Sequence, residues 1–385
     1  MAKKKDKVVK KADEKKVVVP KGRVLFFTMT SGAGHNVVAG NVRAKFEEHG
    51  FDTMTIDLFG HDPKITKMLS GYGFATMFRF PKVANFFWKR AKKRGQSIYD
   101  NFVAKVKDHI IPQINEFAPD IIVSSHVSGQ ILTSVYGAEI AKPFRDYFII
   151  TDYDVPPTMK PERGVESFIV MPTEDFRGEL ESAGYTSGQL LSFGIPINEK
   201  FYKETSKKDV LAKIDLADFD EKVPTVLMMG GGKGLGKIAG VVKQLSTNPE
   251  LQIITVCGKN ETLKSKIDGI ITRNAGSKKP RARIYNYGFC TNVDELMAIS
   301  HFSVGKTGGI SSTEAIVKGL RVVSFKKIPF PELGNLRYLE DKGLAKSVKN
   351  IAQLEYYVAL RPDERADSDL LVSHSAEKIV KHAMK

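Results

Sequence analysis

From Gly22 onward the chain falls into short apolar runs that end in glycine or polar clusters and alternate with stretches of helical periodicity. Short, nearly continuous apolar runs of this kind predict strands buried on both faces, as in a parallel sheet covered by helices. The expected strands of the first half are 24–29, 53–57, 121–124, 146–150, 167–170 and 190–193, with helices over 36–49 and 101–117. Around 201–223 the rhythm stops in a stretch rich in Lys, Asp and Glu, and then resumes. Strands are expected over 225–229, 252–257, 283–287, 302–305 and 321–325, with helices over 235–245, 293–298 and 311–318. The pattern predicts two successive doubly wound α/β units. Ligands of such sheets sit beyond the carboxyl ends of the strands, so a cleft between the units is the expected site. Residues 1–22 read as a disordered basic tail, 23–200 as a first Rossmann-like domain, and 201–385 as a second whose terminal helix packs back on the first.

Composition narrows this picture. The 385 residues are 42% apolar, enough for two cores, and no run approaches the roughly 18 apolar residues of a membrane span. Cys257 and Cys290 are the only cysteines, which excludes a disulfide framework and a cysteine-rich metal site and fits a reducing, cytoplasmic setting. The net charge of +15 is local. The first 23 residues hold ten basic side chains against three acids, and Lys64 to Arg94 holds nine with no acid. The second stretch interleaves its cations with Tyr72, Phe74, Phe78, Phe80, Phe86, Phe87 and Trp88. Rings at headgroup depth and cations on anionic phosphates suit a lipid interface, at about 1 kcal/mol per basic residue near an anionic surface. Phe86, Phe87, Trp88, Lys89 and Arg90 are the expected centre of that contact. A solvated helix with its rings turned inward is the plainer alternative. A single-stranded nucleic-acid platform also mixes rings and cations, but no specific nucleic-acid partner is expected.

Three glycine turns carry candidate chemistry. The first strand runs into Thr30-Ser31-Gly32-Ala33-Gly34-His35, where the glycines let the backbone approach a ligand and a helix amino terminus follows. The third glycine of a dinucleotide fingerprint would fall at Val37, so that motif fails. His35 beside the turn is suited to abstracting a proton; an ordinary turn histidine is the alternative. The second turn, Gly230 to Lys237, places Ile238 where a phosphate-loop ATPase needs a hydroxyl. Gly231, Gly232 and Lys233 therefore read as a diphosphate cradle or as a plain turn against the sheet. The third, Lys306-Thr307-Gly308-Gly309, opens a helix whose N–H groups can meet a phosphate. Glu314 follows one turn later, able to accept from two vicinal hydroxyls such as those of a ribose. Glu332 and Asn335, expected on a loop after a strand, suit sugar hydroxyls.

As an ordered set, these residues resemble the monogalactosyl- and glucosyl-diacylglycerol synthases, relatives of the N-acetylglucosaminyltransferase that forms lipid II. The resemblance spans about Arg23 to Ala345. It rests on Ser31 to His35, Thr151-Asp152, Phe193-Gly-Ile-Pro196, Gly288-Phe289 with Asn292 and Glu295-Leu-Met297, Lys306 to Gly309 with Glu314-Ala315, and Glu332 with Asn335. It implies a GT-B fold, two Rossmann-like domains facing a cleft, and an inverting transfer of a hexose from a UDP-sugar to diacylglycerol. No cofactor and no catalytic metal are implied. The first domain would hold the acceptor lipid and the second the nucleotide sugar, on the inner face of the cell membrane and in contact with anionic lipids. His35 matches the proposed base, and Asp152 is expected to hold the imidazole or to line the acceptor cleft. Phe289 matches the position whose backbone reads uracil, Thr307, Gly308 and Gly309 the diphosphate turn, Glu314 the ribose carboxylate, and Glu332 with Asn335 the donor-sugar loop. Gly32 and Gly34 belong to the acceptor side, and so does His126, as a structural histidine or a second candidate for the base. The chain departs from the family where it reads Pro329-Phe-Pro-Glu332 in place of Pro-Gly-Gln-Glu, and Tyr153-Asp154 after Thr-Asp in place of a His and a Trp. Two rival readings are transfer of N-acetylglucosamine to an undecaprenyl-linked acceptor, and a noncatalytic membrane or nucleic-acid binding module.

Overall fold

The computed structural model describes residues 21–29, 33–61, 80, 82–83, 85–86, 97–156, 165–214, 216, 218–230, 238–326, 328, 330, 332–360, 366–368 and 371–385. Residues 1–20 of the basic tail and most of the Lys64–Arg94 stretch, including Phe87, Trp88, Lys89 and Arg90, lie outside these residues, as do Gly32, Gly231, Gly232 and Lys233.

Two six-stranded sheets organise the chain, and each is parallel throughout. The first has strands β1 (Arg23–Thr28), β2 (Asp52–Asp57), β3 (Ile121–Ser124), β4 (Arg145–Ile149), β5 (Glu166–Val170) and β6 (Leu190–Leu191), in the order β2-β1-β3-β4-β5-β6. The second has β7 (Thr225–Met229), β8 (Gln252–Val256), β9 (Arg283–Tyr287), β10 (Phe302–Gly305), β11 (Arg321–Phe325) and β12 (Ala345–Val348), in the order β12-β11-β10-β7-β8-β9. Helices α1 (Ala33–Glu48), α2 (Ser97–Phe117), α3 (Val127–Tyr136) and α4 (Arg177–Ser182) connect the first sheet, and α5 (Lys207–Lys213) leads to the second. There, α6 (Ile238–Leu245), α7 (Glu261–Ala275), α8 (Val293–Ala298), α9 (Gly309–Val317), α10 (Glu332–Asp341) and α11 (Ile351–Leu360) follow, and the chain closes with α12 (Ser375–Ala383). This is the GT-B architecture of two Rossmann-like units.

The strand order decides where ligands can go. In the first sheet the direction of winding reverses between β1 and β3, and in the second between β7 and β10. The loops after those strands diverge there and leave a crevice at the carboxyl edge. His35 follows β1 and His126 follows β3, while the Gly308–Gly309 turn follows β10. The three thus meet at the two switch points because of topology, although they lie far apart in sequence.

Packing joins the two units. Alternation along β7 sends Leu227 into the large buried cluster that also contains Phe26, Phe27, Ile122 and Tyr147 of the first unit, while Val226 and Met228 face a second cluster with Leu245, Ile267 and Phe302. The terminal helix α12 buries Ala376, Ile379, Val380 and Ala383 in the first unit's cluster. There Ser375 Oγ donates to Gly194 O at 2.7 Å, and Tyr147 Oη shares a 2.9 Å hydrogen bond with His382 Nδ1. The last residues of the chain therefore close the wall of its first domain.

Two expectations need correction. Glu332 and Asn335 lie on helix α10, not on a loop; its buried stripe is Glu332, Asn335, Leu336 and Leu339. Spacings of three and four make one helix face, but two polar members hid the apolar period. Helix α1 begins at Ala33, so His35 sits in its first turn, where its ring is fixed by helical backbone as well as by its neighbours.

Candidate active site

On the first domain, the imidazole of His35 is held by one bond. Its Nδ1 lies 2.6 Å from the carbonyl oxygen of Ser125, which follows β3. A carbonyl only accepts, so Nδ1 carries the proton and the lone pair of the neutral ring is on Nε2. Among the described residues no hydrogen bond reaches Nε2. Burial lowers the His35 pKa below its usual value, opposed by the nearby Asp152 carboxylate and by the Ser125 bond. The ring is thus neutral near pH 7 and presents a free base at one defined atom.

His126 plays a different part. It is the N-cap of α3, and its Nδ1 accepts from Ser128 N at 3.1 Å. In the neutral ring the proton must then be on Nε2, and no lone pair remains for a substrate. Burial, and then repulsion from His35, hold its pKa well below the ordinary range. Its ring meets His35 edge-on at 4.9 Å and Tyr99 at 5.3 Å. His126 is therefore a wedge that fixes the plane of His35, rather than a second base.

Asp152, after β4, faces the second domain. Its Oδ1 accepts from Asn335 Nδ2 at 2.7 Å and from Gly309 N at a longer 3.4 Å. Asn335 is fully buried, and both protons of its amide are used: Nδ2 also donates to Thr307 O at 2.8 Å, while Oδ1 accepts from Tyr153 N at 2.6 Å. In this arrangement Asn335 joins the domains. The sequence reading missed the residues around it. Tyr153 Oη pairs with Thr313 Oγ1 at 2.7 Å, and its ring stacks on Tyr338 at 5.1 Å and 5°. Tyr338 Oη in turn donates to Asp175 at 2.6 Å. Only the position of Tyr153 beside Asp152 hinted at this role.

The donor-side residues gather at the carboxyl edge of the second sheet. Gly308 caps α9 with extended backbone and Gly309 begins the helix. Gly309 admits no other residue: a Cβ there would overlap the Thr151 carbonyl oxygen and lie 3.0 Å from Asp152 Cα. Gly34 comes close as well, since a Cβ on it would stand 3.1 Å from Ile310 Cδ1. The amino termini of α1 and α9 thus face each other across the interface. Thr307 is fully buried, and its hydroxyl donates to Glu332 O at 2.6 Å. The buried Glu332 carboxylate is held by Lys306 Nζ at 3.2 Å.

Glu314 lies deeper. Burial pushes its pKa up to about 8, with Lys200 opposing the shift and Asp294 adding to it. Lys200 enters from the end of the first domain, pairs with Asp294 at 2.8 Å and donates to the carbonyl of Thr291. It thereby braces the loop that carries Phe289, whose ring is 66% exposed beneath the ammonium of Lys259. Phe80, Val83 and Phe86 are exposed as well. No group of acidic, histidine and cysteine side chains suited to a metal ion occurs among the described residues. No described helix is long and apolar enough to cross a membrane.

Known proteins resemble this chain in sequence and in fold. The family model described as monogalactosyldiacylglycerol (MGDG) synthase matches residues 35–197, the first domain from His35 onward. Among curated proteins, the chain is 27% identical over 350 residues to a processive diacylglycerol beta-glucosyltransferase of Bacillus licheniformis, covering 89% of this chain and 87% of that one. A protein of the same description from Bacillus cereus is 26% identical, covering 86% and 83%. Among solved structures, a UDP-GlcNAc 2-epimerase from Neisseria meningitidis aligns with a TM-score of 0.56 at 11% identity over 94% of this chain and 99% of its own. One from Methanocaldococcus jannaschii aligns with a TM-score of 0.54 at 12% identity over the same shares. At such identities the structural likeness speaks for the fold alone.

Proposed function

We propose that this chain, which matches the monogalactosyldiacylglycerol synthase family model over residues 35–197 and is similar over most of its length to the diacylglycerol glucosyltransferases of Bacillus, transfers a hexose from a UDP-sugar to the hydroxyl of diacylglycerol at the cytoplasmic face of a membrane. The name of the Bacillus relatives points to glucose and a β product. A β-glucoside made from an α-configured nucleotide sugar requires one displacement with inversion. That step needs a base on the acceptor oxygen and a stabilised diphosphate on the opposite side of the anomeric carbon.

The observation that carries this reading is the tautomer of His35, whose Nδ1 proton is held by Ser125 so that Nε2 is left as the base. In the proposed step Nε2 takes the proton of the lipid hydroxyl as its oxygen bonds to the anomeric carbon and the bond to the diphosphate breaks. The departing UDP gathers charge at the amino terminus of α9, where the Gly308–Gly309 turn offers backbone N–H groups and the positive end of the helix dipole. This stabilisation calls for no metal ion. Glu314 accepts from the ribose hydroxyls, and the loop with Phe289 holds the uracil. The exposed Phe80, Val83 and Phe86, with the basic residues around them in sequence, meet anionic lipid.

The test is transfer from a panel of radiolabelled UDP-sugars to diacylglycerol in mixed liposomes, with and without anionic lipid. One sugar transferred, with dependence on anionic lipid, supports the reading. Product only on an undecaprenyl-linked acceptor, or tight UDP binding without transfer to any acceptor, overturns it. His35→Ala is expected to abolish transfer while UDP still binds, and turnover near the parent rate would remove His35 from the base role.

A further inference from the structure

The stretch around residue 85 carries its polarity inside out. Phe80, Val83 and Phe86 are 54%, 54% and 62% exposed, whereas the one amide among them, Asn85, turns onto the protein. Its two polar atoms reach a single short segment of the other domain: Nδ2 donates to Ile328 O at 3.3 Å, and Oδ1 accepts from Phe330 N at 2.8 Å. A primary amide that donates and accepts in this way reproduces the pairing a neighbouring strand would offer. The segment needs such a partner. Pro329 and Pro331 have no N–H, so Phe330 is the one backbone donor between them, and it precedes by two residues the Glu332 carboxylate bound to Lys306.

We propose that Asn85 is a positioning residue that ties the lipid-facing stretch of the first domain to the segment delivering Glu332, so that the acceptor wall and the donor-sugar wall form as one unit. The proposal rests on the reading of Glu332 as a donor-sugar group. It acts through backbone placement: with the amide in place, Ile328 is held at its carbonyl and Phe330 at its N–H, just before Glu332 begins α10. Without it those two bonds are lost, while the groups assigned to uracil, ribose and diphosphate (Phe289, Glu314 and Gly308–Gly309) keep theirs. The loss should therefore fall on the sugar and leave the UDP half unchanged.

The experiment compares the full chain with Asn85→Ala and Asn85→Asp. Hydrogen exchange is followed in a peptide spanning 328–332, and affinities for UDP and for UDP-glucose are measured by calorimetry on vesicles containing anionic lipid but no diacylglycerol. In Asn85→Ala the Phe330 amide should exchange at least about tenfold faster, and UDP-glucose affinity should fall roughly three- to tenfold, the size expected for one lost hydrogen bond, with UDP affinity kept within about twofold. Asn85→Asp retains the acceptor for Phe330 N but not the donor to Ile328 O, and should restore most of the exchange protection. Unchanged exchange at Phe330 overturns the clamp. Equal losses for UDP and UDP-glucose, or no loss for either, overturn the positioning role. If the parent transfers no sugar, the proposed function fails, but binding and exchange still decide the role of Asn85.

Discussion

Asp152 Oδ1 and Asn335 Nδ2 lie 2.7 Å apart, and this bond links the strand-end acid of the first domain to a fully buried amide of the second. It stands beside the imidazole of His35, whose protonation responds to the Asp152 charge. One carboxylate therefore both bonds across the interface and raises the pKa of a candidate base that burial lowers.

Removing the amide should loosen that link. Asn335→Ala leaves Tyr153 N, Thr307 O and one Asp152 oxygen without their partner in a buried interface. Each unmet buried group costs about 1–3 kcal/mol, so a fall of several degrees in the melting temperature is expected, with the two sheets still folded by circular dichroism. A melting curve that overlays the parent would show the interface to be unimportant for stability.

Gly309→Ala tests the close approach itself. The added methyl meets the Thr151 carbonyl and Asp152 Cα, so the domains must separate or tilt. A displacement near 1 Å at a reacting centre costs on the order of 100-fold in rate. Transfer should fall by about that factor, and small-angle scattering should report a larger radius of gyration. Full activity in this variant would mean that the closed arrangement is not the working one.

The His35 assignment fixes the sign of a pH profile. Its pKa lies below 6.5, and the active form is neutral, so kcat/KM should be flat through pH 7 and decline as acid protonates Nε2. Asp152 raises this pKa, so Asp152→Asn should move the acid limb to lower pH. Stability follows the same direction: both His35 and His126 are held below their unfolded values. The unfolded chain then binds more protons as pH drops through about 6.5, and the fold weakens there. An acid limb that shifts upward in Asp152→Asn would contradict the pairing.

Glu314 predicts a second titration. With its pKa near 8, the carboxyl is mostly protonated at pH 7, and its capacity to accept from ribose hydroxyls grows as pH rises through 8. UDP affinity measured by calorimetry between pH 7 and 9 should increase, and Glu314→Gln should flatten the curve. Lys200 holds the pKa down, so Lys200→Met should move the midpoint to higher pH. A midpoint unaffected by Lys200 would separate the two residues.

Much of this protein is written in its linear pattern. Buried parallel strands are apolar on both faces, so runs such as Val24–Phe27 and Thr225–Met229 mark themselves, and the glycine turns that follow β1 and β10 announce helix starts at the carboxyl edge. Local chemistry also marked His35, Gly308, Gly309 and Glu314 as candidates, because turn, helix terminus and titratable group lie within a few residues of one another. What the pattern did not contain was pairing between distant segments. The proton on His35 Nδ1 depends on a carbonyl 90 residues away, and the bond from Asn335 to Asp152 spans 183 residues that no local pattern connects. His126 looks like a second base until α3 takes its lone pair. Gly309 looks like a phosphate turn alone until Thr151 is found where a side chain would be. Short-range periodicity determines elements because each strand or helix must bury its own apolar face. The tautomers, the hydrogen-bond partners and the meeting of the two domains follow only from which strands lie adjacent in the sheets, and those contacts exist only in the tertiary structure.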